Sequence, residues 1–258
     1  MRALLRRLWA AGGMLVSRDI AVLTNAIAFN FLLCLFPLLL VLAAFSQRYQ
    51  GSRAGAALLM LLQELIPFGH AEIAASLRSL TKMARGLEAF ALVLIVWGSS
   101  GIFMPVEMAL NRAWGGKPNR HFLLSRVLAF LMTVAGGLLA FVSVALTIMA
   151  RSYGKTWPTV ASYGVKASAV LMTVVLFFLI YRLIPTVPVG NAVALKAALW
   201  SGVAWELAKQ VFVSKLGQMN LQAFYGPLAF AVALVLWAYV SSLVLVFGAL
   251  MTPRTRSA

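Results

Sequence analysis

The stretch Ala197–Val213 reads AALWSGVAWELAKQVFV, apolar enough to enter a bilayer yet carrying Glu206, Lys209 and Gln210 close together. On a helix turning about 100° per residue, Gly202, Glu206, Lys209 and Gln210 fall on one side. Ala197, Ser201, Ala204 and Ala208 fall opposite, a small-residue ridge of the kind that lets membrane helices approach closely. Trp200 and Trp205 flank the two. A helix with one charged and one small face gains little from lipid on either. The expectation is a helix inside a bundle, with the other spans packed around it.

The whole chain supports a membrane setting. Of its 258 residues 62% are hydrophobic, and a mean hydropathy of +0.93 is too high for a soluble domain of this length. Apolar runs of about 20 residues, enough to cross a hydrocarbon core of about 30 Å, recur along it. Lipid offers the backbone no hydrogen bonds, so the spans are helices, and the alternation of a barrel is absent. The expected fold is all-α: a polytopic bundle of six transmembrane helices with short interfacial helices. Net charge is +16, from 22 basic and 6 acidic residues. Most of the basic residues sit in short loops and at span ends, where they set topology and meet anionic headgroups rather than nucleic acid. Cys34 is the single cysteine, so no intrachain disulfide forms.

Residues 1–21 open with Arg2, Arg6 and Arg7 among Leu4, Leu5, Leu8 and Trp9, a basic amphipathic segment for the cytoplasmic membrane surface rather than a cleaved signal. A single membrane domain then covers 22–250. Span one is Val22–Phe45, with Asn25, Asn30 and a kinking Pro37. Residues 47–86 are too polar to span as a whole. They read as two short extracytoplasmic helices, Ala54–Ile66 and Ala71–Ala84, the first interfacial or re-entrant. Span two is Leu87–Met104, three is Val127–Ala150, four is Val165–Ile184, five is the opening stretch and six is Pro227–Leu250. Residues 251–258 form a tail. With the amino terminus inside, the inner segments hold 12 basic residues and the outer ones 9, which points to both termini in the cytoplasm.

Ionisable groups at membrane depth are costly and by default mark a functional cavity. Glu206 and Lys209, three apart, can pair. With Gln210, and with Asn25 and Asn30, they could line a polar path for a substrate. The other reading is a neutralised pair that fixes helix register, with the asparagines as interhelical glue. Arg182, at a helix end before Pro185 and Pro188, suits headgroup contact or a positive-inside anchor. Enzyme chemistry has little to stand on. Two histidines (His70, His121), one aspartate (Asp19) and scattered glutamates make no metal cluster. No nucleotide-cradling loop or nucleophile elbow is present, and nothing asks for a cofactor.

Several ordered segments resemble the YihY/BrkB family of bacterial inner-membrane proteins, once labelled ribonuclease BN. They are Ala26-Ile27-Ala28-Phe29 leading to Leu35-Phe36-Pro37-Leu38; Trp97-Gly98-Ser99-Ser100-Gly101 leading to Ala109-Leu110-Asn111-Arg112-Ala113-Trp114; Tyr181-Arg182-Leu183-Ile184-Pro185; Leu207-Ala208-Lys209 with Phe212; Tyr225-Gly226-Pro227-Leu228; and Leu236-Trp237-Ala238-Tyr239 leading to Gly248-Ala249. The resemblance implies six spans, cytoplasmic termini and a role in envelope biogenesis, and it gives Pro37, Trp97, Ser99, Gly101, Asn111, Pro185, Tyr225, Gly226, Trp237 and Gly248 structural roles. Two positions depart from the pattern. Asn30 stands where an aromatic is common, and Leu250 follows Gly248-Ala249 where an acidic residue is common.

The expected function is a transporter or flippase-like protein for a lipid or other amphipathic envelope molecule, in contact with anionic membrane lipids. The alternative is a non-transporting scaffold for envelope machinery. A homo-oligomer is compatible with the small-residue ridge. A membrane ribonuclease and a nucleic-acid partner are not expected.

Overall fold

The structure, a computed structural model, describes residues 9, 11–15, 17–48, 101, 103–116, eight positions between 124 and 142, and 158–253. The expected outer segment beyond residue 48, Trp97, Ser99, the body of spans two and three, residues 1–8 and the side chain of Pro37 lie outside the described residues.

Among the described residues there is no strand. Helix α1, Arg18–Arg48, contains expected span one and runs through Pro37. Its first turn carries Asp19, whose negative charge suits the positive end of the helix dipole. Helix α2 covers 103–114. Expected span two stops at Met104, but the helix continues through Pro105 to Trp114. Proline costs a hydrogen bond and crowds the turn before it, but beyond it Val106, Ala109, Leu110 and Ala113 form a buried apolar face that favours more helix. The real stop is Gly115, at φ +82°, where the Gly116 N–H reaches back to the Asn111 carbonyl at 2.7 Å.

Helix α3, Pro158–Leu183, starts before expected span four and ends one residue short of its Ile184 boundary, and helix α4, Asn191–Gln218, contains the opening stretch and extends beyond it at both ends. A short helix α5, Leu221–Tyr225, and a 3-10 turn, Gly226–Leu228, lead into α6, Ala229–Leu250. Gly226 takes φ +52° and ψ −128°, a conformation open to glycine at little cost, so the Tyr225-Gly226-Pro227 punctuation is built on backbone freedom. Helix α4 packs against both α3 and α6, and α6 against α1.

Three contacts gather four segments at one end of the bundle. Arg112, near the end of α2, pairs with Asp19 at the start of α1. Asn111 Oδ1 accepts hydrogen bonds from Thr186 N (2.9 Å) and Thr186 Oγ1 (3.1 Å), in the link between α3 and α4. Trp114 Nε1 donates to Thr252 Oγ1, just past α6, at 2.9 Å. These are the four segments the loop charges assign to one side.

The outside of the bundle is apolar. Along α4, Leu195, Leu199, Val203, Leu207 and Val211 are between 48% and 57% exposed. They recur every fourth residue as one continuous stripe. Helix α6 is long and apolar enough to cross a membrane, with a mean hydropathy of 2.4 and 33% of its apolar window buried. A soluble protein would hide such a helix; this one leaves Val235 and Leu236 exposed. Among the described residues it alone meets that length and composition, and Ala169–Leu183 is a shorter apolar segment.

Candidate functional site

Helix α4 has three faces rather than two. The packed face is shifted from the expected one: Ala197 and Ser201 are at its centre, Gly202, expected on the charged side, is buried with them, and Ala204 and Ala208 are only partly buried. Ala194, Ala197, Ala198 and Ser201 are fully buried, Gly202 lies against Val174 of α3, and Ser201 lies against Gly248 of α6. The leucine and valine stripe makes a second face, open to the outside. Expectation and structure part there: α4 is not enclosed on all sides, because its larger apolar residues form an outward seam that the charged and small residues obscure in the sequence.

The third face carries the charges. Lys209 Nζ lies 2.7 Å from Glu206 Oε1, with the two side chains 19% and 30% exposed. Oε1 itself is buried and lacks a directed hydrogen bond, so the contact is an ion pair. Glu206 stands 15 residues from the start of α4 and 12 from its end, or about 22 Å and about 18 Å along the axis at 1.5 Å per residue. The pair therefore sits near mid-length, where a carboxylate or ammonium alone in lipid would be most costly, and each ion offsets that cost for the other. Gln210 is exposed beside it.

A line of aromatic rings runs along the bundle past this pair. Trp114 meets Tyr181 edge-on at 5.7 Å, Tyr181 stacks on Phe177 at 6.0 Å, and Phe177 meets Trp205 at 6.2 Å. Trp205 then meets Trp237 at 5.2 Å, and Trp237 meets Phe212 at 5.0 Å. Trp205 immediately precedes Glu206, so this line anchors the backbone that carries the charges. Within this line Tyr181 Oη lies 2.5 Å from Ser201 Oγ and donates to the Leu245 carbonyl at 2.6 Å. Ser201 Oγ is also 3.2 Å from the Val244 carbonyl. One phenol thus ties α3, α4 and α6 together.

The remaining candidates are dispersed. Asn30 donates to the Ala26 carbonyl at 2.8 Å within its own helix. Its Oδ1 lies over Gly101, 2.7 Å from where a β-carbon would stand. Asn25 is exposed. Neither asparagine is hydrogen-bonded to Glu206 or Lys209. Arg182 is exposed and donates from Nε to Asn191 Oδ1 at 2.8 Å. Trp237 and Asn111 are buried, Pro185 is buried beside Ile184, and Tyr225 is half exposed. Asn111 Nδ2 is buried without a hydrogen-bond partner. The sequence reading missed Glu107, a buried carboxylate one turn before Asn111 on the same face. Its signal was available: an acid inside the apolar run Val106–Leu110. Among the described residues no group of histidine, cysteine, aspartate and glutamate is placed to hold a metal ion.

Between α3 and the first turns of α4 runs an apolar groove of about 360 Å³. Leu171, Val174, Val175 and Phe178 form one wall; Asn191, Ala192 and Leu195 form the other.

Apolar helices with outward apolar faces and a sheltered ion pair define a helical membrane protein. The chain belongs to the family described as Virulence factor BrkB, which it matches over residues 13–256. This agrees with the resemblance seen in the sequence. It is 22% identical over 239 residues to a protein of Bacillus subtilis named "Putative ribonuclease-like protein YfkH", covering 86% of this chain and 85% of that one. It is 30% identical over 234 residues to a UPF0761 membrane protein of Ralstonia nicotianae, covering 87% of this chain and 53% of that one. It is 27% identical over 150 residues to "UPF0761 membrane protein YihY" of Salmonella typhimurium, covering 57% and 52%. The chain thus spans little more than half the length of these two UPF0761 relatives. No solved structure matches it.

Proposed function

We propose that this is a six-span protein of the bacterial inner membrane that moves a lipid or other amphipathic envelope molecule, with the Glu206–Lys209 pair as the polar element of its path. The observation that carries the reading is the pair itself: two opposite charges near mid-length of α4, 19% and 30% exposed and bound to each other. A polar headgroup crossing the apolar interior needs charges to exchange with, and a pair that separates and re-forms supplies them without leaving a lone ion in lipid. Gln210 extends the polar surface outward. Asn25 and Asn30 are not hydrogen-bonded to it, so the path is proposed on α4 alone.

Orientation follows from charge. Arg18, Arg112, Arg182 and Lys196 are exposed at or near the end where the four segments meet, and Lys215 is exposed toward the other. The positive-inside rule puts the first end, and with it both termini, in the cytoplasm, facing anionic lipid. The chain is proposed to act without catalysis of its own and without nucleic acid.

The test is reconstitution. The full chain and a Glu206→Gln, Lys209→Met double variant are placed in vesicles and fluorescent-lipid scrambling is followed. The reading requires scrambling by the native chain and a fall to the protein-free rate in the variant. A variant that folds normally and retains full activity makes the pair a register-fixing device and ends the proposed path.

A further inference from the structure

We propose that the groove between α3 and α4 is a binding site for an anionic phospholipid, its phosphate held at Arg182 and the first turn of α4 and one acyl chain lying along the groove. The walls are apolar from Leu171 to Phe178, and the groove opens sideways past Leu171 and Leu195, both about half exposed on the outer surface of the bundle. A water-soluble ligand would gain little there; a methylene chain entering from the side gains on every carbon. One end of the groove is polar. Asn191 lines it and accepts from Arg182 Nε at 2.8 Å, which fixes the guanidinium at the mouth and leaves its terminal nitrogens for another acceptor. The same residue begins α4, whose N-cap Gly190 offers no side-chain cap. The Gly190 carbonyl accepts from the N–H groups of Val193 and Ala194, so those of Asn191 and Ala192 are the uncovered positive end of the helix. Residues 158–205 contain Lys166, Arg182 and Lys196 and no acidic residue, so nothing in either wall repels an anion. The mouth lies where α3 gives way to α4, and the link between them is tied through Thr186 to Asn111 at the end of the bundle where the four segments meet, the level at which a headgroup would sit.

The proposal needs the chain to lie in a bilayer but does not need it to transport anything. The full chain is reconstituted in phosphatidylcholine vesicles containing a trace of phosphatidylglycerol or phosphatidylcholine with a diazirine in one acyl chain. After photolysis, labelled peptides are mapped by mass spectrometry, with the exposed Val235–Leu236 face of α6 as internal standard. The expected result is labelling of the α3 and α4 walls about fivefold higher with phosphatidylglycerol, the factor given by about 1 kcal/mol per basic residue at a membrane surface. Arg182→Gln should bring phosphatidylglycerol down to the phosphatidylcholine level, and Ala192→Trp, which fills the mouth, should suppress both. Both positions are exposed, so the fold is spared. Equal labelling by the two lipids, or labelling spread evenly over the outer helices, overturns the site, as does a preference that survives Arg182→Gln. Labelling is read without movement of lipid: a filled groove in a chain that scrambles nothing keeps this site and ends the transport reading. Scrambling with an unlabelled groove does the reverse.

Discussion

Gly248 of α6 lies so close to Ser201 of α4 that a β-carbon at position 248 would overlap Ser201 Oγ and stand 2.7 Å from Tyr181 Oη and 2.8 Å from the Ala197 carbonyl. Two of these obstacles belong to the hydrogen-bonded hub and the third to backbone, so none can yield cheaply. Gly248→Ala should therefore push α6 off α4 and cost about 1–3 kcal/mol, the usual range for overpacking. Thermal unfolding of the purified protein in detergent would read this as a lowered midpoint. Ser201→Ala in the same chain should recover only part of it, since the tyrosine and the carbonyl remain.

Tyr181→Phe keeps the ring between Trp114 and Phe177 and removes only the hydroxyl. Ser201 Oγ retains its 3.2 Å contact with the Val244 carbonyl, so the expected cost is about 1–2 kcal/mol, that of one buried hydrogen-bonding group rather than a cavity. Denaturant unfolding followed by tryptophan fluorescence measures it. A loss as large as that of Tyr181→Ala would mean the hydroxyl, not the ring, holds the three helices.

The Glu206–Lys209 pair should behave as a unit. Glu206→Gln or Lys209→Met alone leaves an unpaired ion and should cost about 1–3 kcal/mol, less than for a fully buried pair because both side chains are partly exposed. The double variant should cost less than the two singles together, by about 1 kcal/mol of coupling. Additive losses in a double-mutant cycle would show that the two charges do not depend on each other.

At Gly115 the backbone is left-handed, and Gly115→Ala should cost about 1–2 kcal/mol. Gly115→Asn should cost less, because asparagine tolerates that region. The pair of melting temperatures separates backbone conformation from loss of space, since nothing lies within 4 Å of a β-carbon there.

Orientation is open to direct measurement. Gly190 takes φ −65° and has open space at its β-carbon, so Gly190→Cys should fold normally in a Cys34→Ser background. In sealed cells a membrane-impermeant maleimide should leave it unlabelled from the periplasmic side and label it once the cytoplasmic face is exposed.

The helices of α1, α3, α4 and α6 could be located from sequence because each is an apolar run bounded by polar or glycine and proline residues. The small ridge of α4 was legible for a similar reason: Ala197 and Ser201 recur at helical spacing, and close approach demands little side chain. Position 105 misled, since a proline reads as a boundary while its neighbours Val106, Ala109 and Leu110 bury enough apolar surface to carry the helix onward. The outward seam was hidden because leucine and valine look alike whether they face lipid or core. Long-range pairings such as Arg112 with Asp19, separated by 93 positions, leave no local pattern at all.

Tyr181 and Ser201 address α6 only through the main-chain oxygens of Leu245 and Val244. An apolar residue of similar size at either place keeps the same carbonyl for the latch, so a conservative exchange there does not unfasten it. Covariation between 181 and 245 should accordingly be faint in this family, and a search for coupled columns would overlook one of its tightest interhelical fastenings.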